Sequence, residues 1–497
     1  MADVSLLSNE KRPLENERLG LLGLVCTDPS QLVNVKMISN WINFDEMPPR
    51  KVRLMSAAPC IAALILSLVF VFMHVGIVPA PLASFHKSTP TPSLQKGNPA
   101  FKSPLIPGPT CGTNATASTR HVVDFYHNRN FTSVWRIIEE VPPDIAKGFR
   151  GKITVVRGTV LQEPEMRVQV DIHSTDADDL QNVHLKTMSP NPALWITYNG
   201  RDQHICTSVH VTVYLKPGLV GVSMSMLSIS TSLFDIEFQG SIGWEIYYLM
   251  AVSNHGSIAG SEDDCVGGAL TIQRTYISTK KGAVIGAWSM RSMLEINGGS
   301  GNINVTIDPK HWSFGRYTPA FIFIKSTSGN ITTRMSFENR FMRIYRTYME
   351  SISGDIDGQL IHGCQTSLRT QFGSIKATLK PYQFLEYLGS NITTYAETGT
   401  IVRVLSPARD SHYQENPLSW TISEHKLGTG SMSLWYPDEW HGSAEGKAKS
   451  ISVSGDFDDM ELKDGKLKAR RGKYGRSRLS FKSEGKAQLR IETKEIP

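Results

Sequence analysis

The 497-residue sequence predicts an all-β chain, a parallel β-helix or related β-solenoid ectodomain carried on a single transmembrane helix. Three observations predict it. A short glycine-centred phrase recurs about every 25 residues, inside the period range of stacked repeats. Apolar residues then fall at every second position, the period of a strand with one buried face. Finally, one long uncharged apolar stretch stands near the N-terminus.

The clearest copies of the phrase are Ser300-Gly301-Asn302-Ile303, Ser328-Gly329-Asn330-Ile331, Ser353-Gly354-Asp355-Ile356, Phe372-Gly373-Ser374-Ile375, Thr398-Gly399-Thr400-Ile401 and Ser454-Gly455-Asp456-Phe457. Looser ones centre on Gly256, Gly282, Gly430 and Gly485. Glycine tolerates positive φ and a tight corner, and Asn, Asp and Ser hydrogen-bond local backbone there, so each glycine is a predicted turn. After it come alternating runs such as Ile303, Val305, Ile307; Ile331, Met335, Phe337; Ile375, Ala377, Leu379; and Met432, Leu434, Tyr436. Two copies break the phase. Val402 and Val404 oppose Ile401, and Gly455 is followed by Asp458-Asp459, so a bulge or shortened rung is expected at each. The rival arrangement makes each glycine a hairpin tip in an antiparallel stack, a pattern that the close spacing of Gly455, Gly465, Gly475 and Gly485 resembles. The solenoid is preferred for the repeats, with a different capping arrangement in the last forty residues.

No Asp, Glu, Lys or Arg occurs between Arg53 and Lys87, and Cys60 to Val78 is almost wholly apolar, long enough to span a bilayer. The stretch starts too far in for a cleaved signal peptide, so residues 55–82 read as a signal anchor. Arg50, Lys51 and Arg53 on its N-terminal side place the N-terminus in the cytosol and residues beyond it outside or in a lumen. All five glycosylation sequons, at Asn114, Asn130, Asn304, Asn330 and Asn391, lie beyond the span. So do Cys111, Cys206, Cys265 and Cys364, an even number where disulfides persist, with three connectivities open.

Residues 1–54 are polar and without apolar period, the composition of a disordered tail. Within them Glu17, Leu21 and Leu22 match an acidic dileucine sorting signal, the alternative being a short amphipathic piece. Residues 83–120 hold prolines with Ser, Thr and Gly and read as an extended stalk. Residues 121–218 form a leading β-rich region, with strands around Lys152-Val156, Met166-Ile172 and Val209-Leu215, and a short helix is expected over Phe131–Val141 with Thr132 as N-cap. Residues 219–497 form the repeat domain.

Elbow, phosphate-loop, zincin and dinucleotide fingerprints are absent from the sequence. Asp355 with Asp357, or Asp456 with Asp458 and Asp459, are the candidates for paired-carboxylate hydrolysis or lyase chemistry on a β-helix. Turn chemistry accounts for the same residues and is preferred, and a calcium site at the second cluster matches no calcium-loop pattern. No cofactor or metal is expected. Lys463 to Lys486 holds ten Lys or Arg against two acids, with Tyr474 and Phe481 interleaved. Such a stretch suits polyanions such as acidic glycans, or else blunts exposed strand edges. A nucleic-acid partner does not fit a lumenal or extracellular domain.

The Ser-Gly-Asp/Asn/Ser-Ile repeat, the ending Ser433-Leu434-Trp435-Tyr436-Pro437-Asp438-Glu439-Trp440 and the later Lys473-Tyr474-Gly475-Arg476-Ser477-Arg478-Leu479-Ser480-Phe481 resemble the fungal membrane proteins labelled adhesin-domain or adhesin-like. These are related more distantly to bacterial adhesin-type domains of stacked β-strands. The resemblance covers roughly residues 150–497 and implies architecture rather than catalytic or ligand residues. The expectation is a membrane-anchored, non-enzymatic adhesin-like glycoprotein touching cell-wall polysaccharide or neighbouring copies. The alternatives are a carbohydrate-active enzyme on the same scaffold and a vacuolar or endosomal resident.

Overall fold

Each glycine phrase is a corner joining two strands in the computed structural model. It describes residues 115–126, 134–142, 148–188, 192–200, 205–217, 223–240, 245–260, 271–310, 319–336, 344–382, 389–405, 418, 420–473 and 475–492. The expected tail, membrane anchor and most of the stalk lie outside these residues, as do Glu17, Leu21, Leu22, Cys111, Cys265, Asn114, Asn130 and Tyr474. No helix among the described residues is long and apolar enough to cross a membrane.

The leading strands are β1 (Ala117–Phe125), β2 (Val134–Glu140), β3 (Phe149–Arg157), β4 (Met166–Ser174), β5 (Val183–Met188), β6 (Ala193–Tyr198) and β7 (Thr207–Leu215). Two-strand rungs follow: β8 (Ser223–Thr231) with β9 (Asp235–Phe238), β10 (Glu245–Ser253) with β11 (Ile258–Ala259), β12 (Thr271–Thr279) with β13 (Val284–Met290), and β14 (Met293–Gly298) with β15 (Ile303–Pro309). Next are β16 (Ala320–Ser326) with β17 (Ile331–Met335), β18 (Tyr345–Ser351) with β19 (Ile356–His362), and β20 (Gln365–Phe372) with β21 (Ile375–Pro381). In β22 (Ser390–Leu405) and β23 (Thr421–Tyr436) one unbroken strand runs through the corner. The chain ends with β24 (Gly442–Lys447), β25 (Ser450–Ser454), β26 (Asp459–Lys463), β27 (Lys466–Arg471), β28 (Ser477–Ser483) and β29 (Lys486–Ile491).

From β8 to β23 every rung pairs in parallel with the next, first strand on first strand and second on second, so the repeats form a two-sheet β-solenoid. The antiparallel alternative holds only at the ends. There the chain lays rungs out of order: β2 and β3 sit between the β6/β7 rung and the β8/β9 rung, and β28 and β29 sit between β23 and the β24/β25 rung. Antiparallel strands then cover the terminal edges: β5 on β6, β4 and β1 on β7, and β27 and β26 on β24. Asp464 (φ 51) and Gly465 (φ 67) close the β26–β27 hairpin, both in the left-handed region that a two-residue turn demands.

Two expectations fail here. Phe131–Val141 contributes strand β2 rather than a helix, because Trp135, Ile137, Glu139 and Val141 alternate into the core while β6 and β8 pair on either side. The expected stalk also ends early, since β1 begins at Ala117 and pairs along its length with β4.

The glycines are required mainly by proximity, not by turn geometry. A Cβ on Gly282 would lie 1.9 Å from the carbonyl oxygen of Gly256, on Gly301 2.0 Å from that of Gly282, on Gly329 2.0 Å from that of Gly301, and on Gly430 1.8 Å from that of Gly399. Gly256, Gly354, Gly373, Gly399 and Gly485 are in the same relation to the rung beneath, and of these nine only Gly399 and Gly430 have positive φ. Gly455 does not belong to the column: it ends β25 at φ 122 against Ile491, and its rung turns at Ala448-Lys449 instead. Inside the corners at Gly256, Gly282, Gly354 and Gly373 a buried hydroxyl satisfies the bent backbone. Ser253 Oγ donates to Phe234 O and accepts from Gly256 N–H, and Thr370 Oγ1 donates to Gly354 O. One residue past the polar position, Ile236, Ile258, Val284, Ile303, Ile331, Ile356, Ile375, Ile401 and Met432 stack in register as a buried aliphatic column. Each such side chain contributes about 1.5–3 kcal/mol by leaving water.

One stretch of the core is polar. The expected bulge after Gly399 is absent: β22 pairs with β23 without interruption, Ile401, Arg403 and Leu405 face inward, and Val402 and Val404 are half-buried outside. The chain therefore buries an arginine. Arg403 Nη1 donates to Tyr436 Oη and to His425 Nε2 (2.8 Å), which leaves His425 Nδ1–H to donate to Thr394 Oγ1 (2.7 Å). His362 Nδ1 meets Thr366 Oγ1 at 2.9 Å. Burial first, and then the charge of Arg403, pull His362 down to about 3 and His425 well below the usual imidazole value.

Two measurements check these constraints. Gly329→Ala should lower stability by about 1–3 kcal/mol in urea unfolding, since backbone must move to admit its Cβ, whereas Ser328→Ala at the exposed neighbour should be near neutral. The histidines are neutral in the fold but take protons when unfolded below pH about 6.5, so their contribution is full above that pH and falls as pH drops toward about 3. His362→Gln should flatten the decline of the urea midpoint between pH 6 and 4; an unchanged slope would show that the imidazole is not held neutral.

Candidate functional site

Of the aspartates singled out for catalysis, Asp355 belongs to the corner scaffold. Ser257 N–H donates to Asp235 Oδ1 (2.7 Å), Asn330 N–H to Asn302 Oδ1 (3.0 Å), Asp355 N–H to Asn330 Oδ1 (2.9 Å), Ser374 N–H to Asp355 Oδ1 (2.7 Å) and Thr400 N–H to Ser374 Oγ (3.2 Å). The polar residue after Gly256, Gly301, Gly329, Gly354 and Gly373 thus holds the backbone of the next rung. Asp357 is exposed on β19, Asp458 Oδ2 accepts from Gly472 N–H (2.6 Å), and Asp456 and Asp459 are exposed. No group of three or more His, Cys, Asp or Glu that could hold a metal occurs among the described residues. Of the described sequons, Asn304 and Asn330 are exposed and Asn391 is half-buried. Cys206, just before β7, and Cys364, between β19 and β20, are disulfide-bonded.

The outer face of the first sheet carries the chemistry that alternation alone did not reveal. Tyr276, Glu295, Phe323 and Tyr348 lie opposite one another on β12, β14, β16 and β18, beside Arg274, Met293, Phe321 and Arg346 in the neighbouring column. The rings touch: Phe321 and Phe323 are stacked at 6.0 Å, and Phe323 and Tyr348 lie 6.3 Å apart. Cations cover them, with Arg346 over Phe321 (5.6 Å), Lys325 over Tyr348 (5.7 Å), Arg274 over Tyr247 (5.8 Å) and Arg369 over Tyr395 (5.0 Å). Burial, then the Glu295 carboxylate, pushes the Tyr248 phenol up to about 12, so it stays a neutral donor.

Toward the C-terminal end this face becomes a line of lysines. Lys426 on β23, Lys482 on β28, Lys447 on β24, Lys466 on β27 and Lys463 on β26 are direct cross-strand partners in turn, and all five are exposed. At about 4.8 Å per strand the row spans roughly 19 Å. Like charges directly opposed across strands are destabilising, and among the described residues none of the five is in an ion pair. Edge protection explains Lys463 on the outermost strand, but β23, β28 and β24 are paired on both sides, where there is no edge to protect. The basic stretch noted in the sequence supplies three of the five. Lys426 and Lys447 join only through register, and Phe481 is buried beneath Gly446 and unavailable to a ligand.

No family model and no curated protein matches the chain. Solved structures similar to it are provisionally named adhesins. One from Parabacteroides distasonis is 10% identical with a TM-score of 0.28, the match covering 75% of this chain and 97% of that one. One from Parabacteroides merdae is 9% identical with a TM-score of 0.25, over 62% of this chain and 95% of that one. A third, from Bacteroides fragilis, is 10% identical with a TM-score of 0.24, over 63% and 98%. Likenesses this remote carry no functional argument, and the solenoid rests on its own strand register.

The corner role of Asp355 has a direct check. Asp355→Asn keeps the accepting oxygen and should leave stability within a few tenths of a kcal/mol, whereas Asp355→Ala should cost about 1 kcal/mol in chemical unfolding. Equal loss in both variants would mean that the charge, not the hydrogen bond, matters.

Proposed function

We propose that the protein is a membrane-anchored, adhesin-like glycoprotein whose β-solenoid makes multivalent contact with an extended acidic polysaccharide. The observation that carries this reading is the row of five unpaired lysines, set at the strand spacing on one sheet face. A linear chain of sugars bearing carboxylate or sulfate groups presents charges at a comparable repeat, so several weak contacts form together and their effects multiply. The aromatic and cationic columns farther along the same face suit the apolar faces of sugar rings. The apolar stretch of residues 55–82 supports anchoring, and the sequons support an extracellular or lumenal site. Asp355, engaged by the backbone of the next rung, supports a contact role over hydrolysis.

The test is retention of the full chain on immobilised polygalacturonate, a sulfated glycan, neutral β-glucan and chitin, with released sugar measured in parallel. Retention on the two polyanions is expected, weakening as salt rises. Lys447→Gln with Lys466→Gln and Lys482→Gln should weaken it at least tenfold without changing Tm. Equal retention of variant and parent would remove the lysine row from the site, and sugar release would replace adhesion with catalysis.

A further inference from the structure

We propose that the lysine row is one end of a longer track anchored by Arg369 held against Tyr395, and that a linear polyuronate of about seven sugars fills it at one sugar per strand. This rests on the polysaccharide reading above and adds the footprint and the residues that bound it. Register carries the extension. Lys426, the first lysine of the row, is the direct cross-strand partner of Tyr395 on β22, and Tyr395 is that of Arg369 on β20. Beyond Arg369 the next partner is Glu350 on β18, ion-paired with Lys325 at 3.0 Å. The positive run therefore covers β20, β22, β23, β28, β24, β27 and β26, with a carboxylate at one end and the last strand of the sheet at the other. These strands span roughly 29 Å.

Arg369 differs from the lysines in being held. Its guanidinium lies 5.0 Å from the centre of the Tyr395 ring, and the Tyr395 hydroxyl donates to Glu397 Oε1 at 3.3 Å. Arg369 is exposed and, among the described residues, in no ion pair. A planar fork pinned on a ring offers two parallel N–H groups to one carboxylate and has less freedom to lose than a lysine. The lysines are flexible point charges whose exposed contacts are individually weak and act by number. A polyuronate seated at Arg369 lays its following carboxylates along them, whereas in the other direction its next carboxylate meets the like charge of Glu350.

The experiment measures the affinity of the full chain for oligogalacturonates of five, seven and nine sugars. Affinity should rise about tenfold from the pentamer to the heptamer and less than about twofold from there to the nonamer. In Arg369→Gln, a change at an exposed position, the heptamer should bind within about twofold of the pentamer, which the five lysines still accommodate. Tyr395→Ala should do the same by releasing the guanidinium, and Arg369→Lys, which keeps the charge without the fork, should restore less than half of the gain. Affinity that keeps climbing to nine sugars, or a heptamer gain that survives Arg369→Gln, would overturn the track and leave the lysine row as the site. Absence of binding at every length would overturn the polysaccharide reading and the track together.

Discussion

Everything else in this molecule hangs on how closely successive corners approach. With a Cβ on Gly301, Gly329 or Gly430 only about 2 Å from the carbonyl of the glycine beneath, no other residue lets the rungs settle at the strand spacing. The same contact aligns what lies to either side. Inside, it brings the buried hydroxyls and the Ile236–Met432 column into register; outside, it sets the Asn302, Asn330 and Asp355 side chains under the backbone of the following rung. A polar ladder and an apolar ladder thus flank one backbone contact, and each supports the others only while every rung keeps its place.

A solenoid built this way has two open ends, and this chain closes them with one device used twice. At the C-terminal end it sets down the terminal β24/β25 rung, runs antiparallel β26 and β27 over that edge and inserts β28/β29 in the gap; at the N-terminal end the order is reversed, β2/β3 being laid first, then antiparallel β4, then the terminal β6/β7 rung beyond it. The inserted rungs are distant in sequence from one of their neighbours, so the ends are tied by long-range pairings while the middle is tied by short ones. That arrangement guards exposed edges against pairing with other chains. At the C-terminal end it also lines up side chains from five strands into one charged row.

The polar segment of the core departs from the rule that the inside is apolar. Arg403, His425 and Tyr436 come from two successive rungs and meet in a volume that elsewhere holds Ile, Leu and Val, while His362 bonds Thr366 on earlier rungs. Such a cluster does not improve stability on its own account, since its groups leave water and keep unmatched donors.

Local pattern in the sequence was enough for the repeat, the alternation and the corner residues, because each depends on a few adjacent positions: glycine where backbones touch, Asn or Asp beside it, isoleucine one step later. It also correctly placed strands at Lys152, Met166 and Val209. It erred where a neighbour in space overrides local preference. The segment from Val134 to Glu140 is a strand because β6 and β8 flank it, Gly455 is outside the glycine column because it follows β25, whose rung turns at Ala448-Lys449, and Arg403 points inward because β22 keeps the phase that β23 imposes. The candidate site belongs to this second class. Lys426 and Lys463 stand 37 residues apart in the chain, and only the pairing of five strands puts them on one line; linear spacing does not encode which strand will lie beside which, and that choice was made by the tertiary structure.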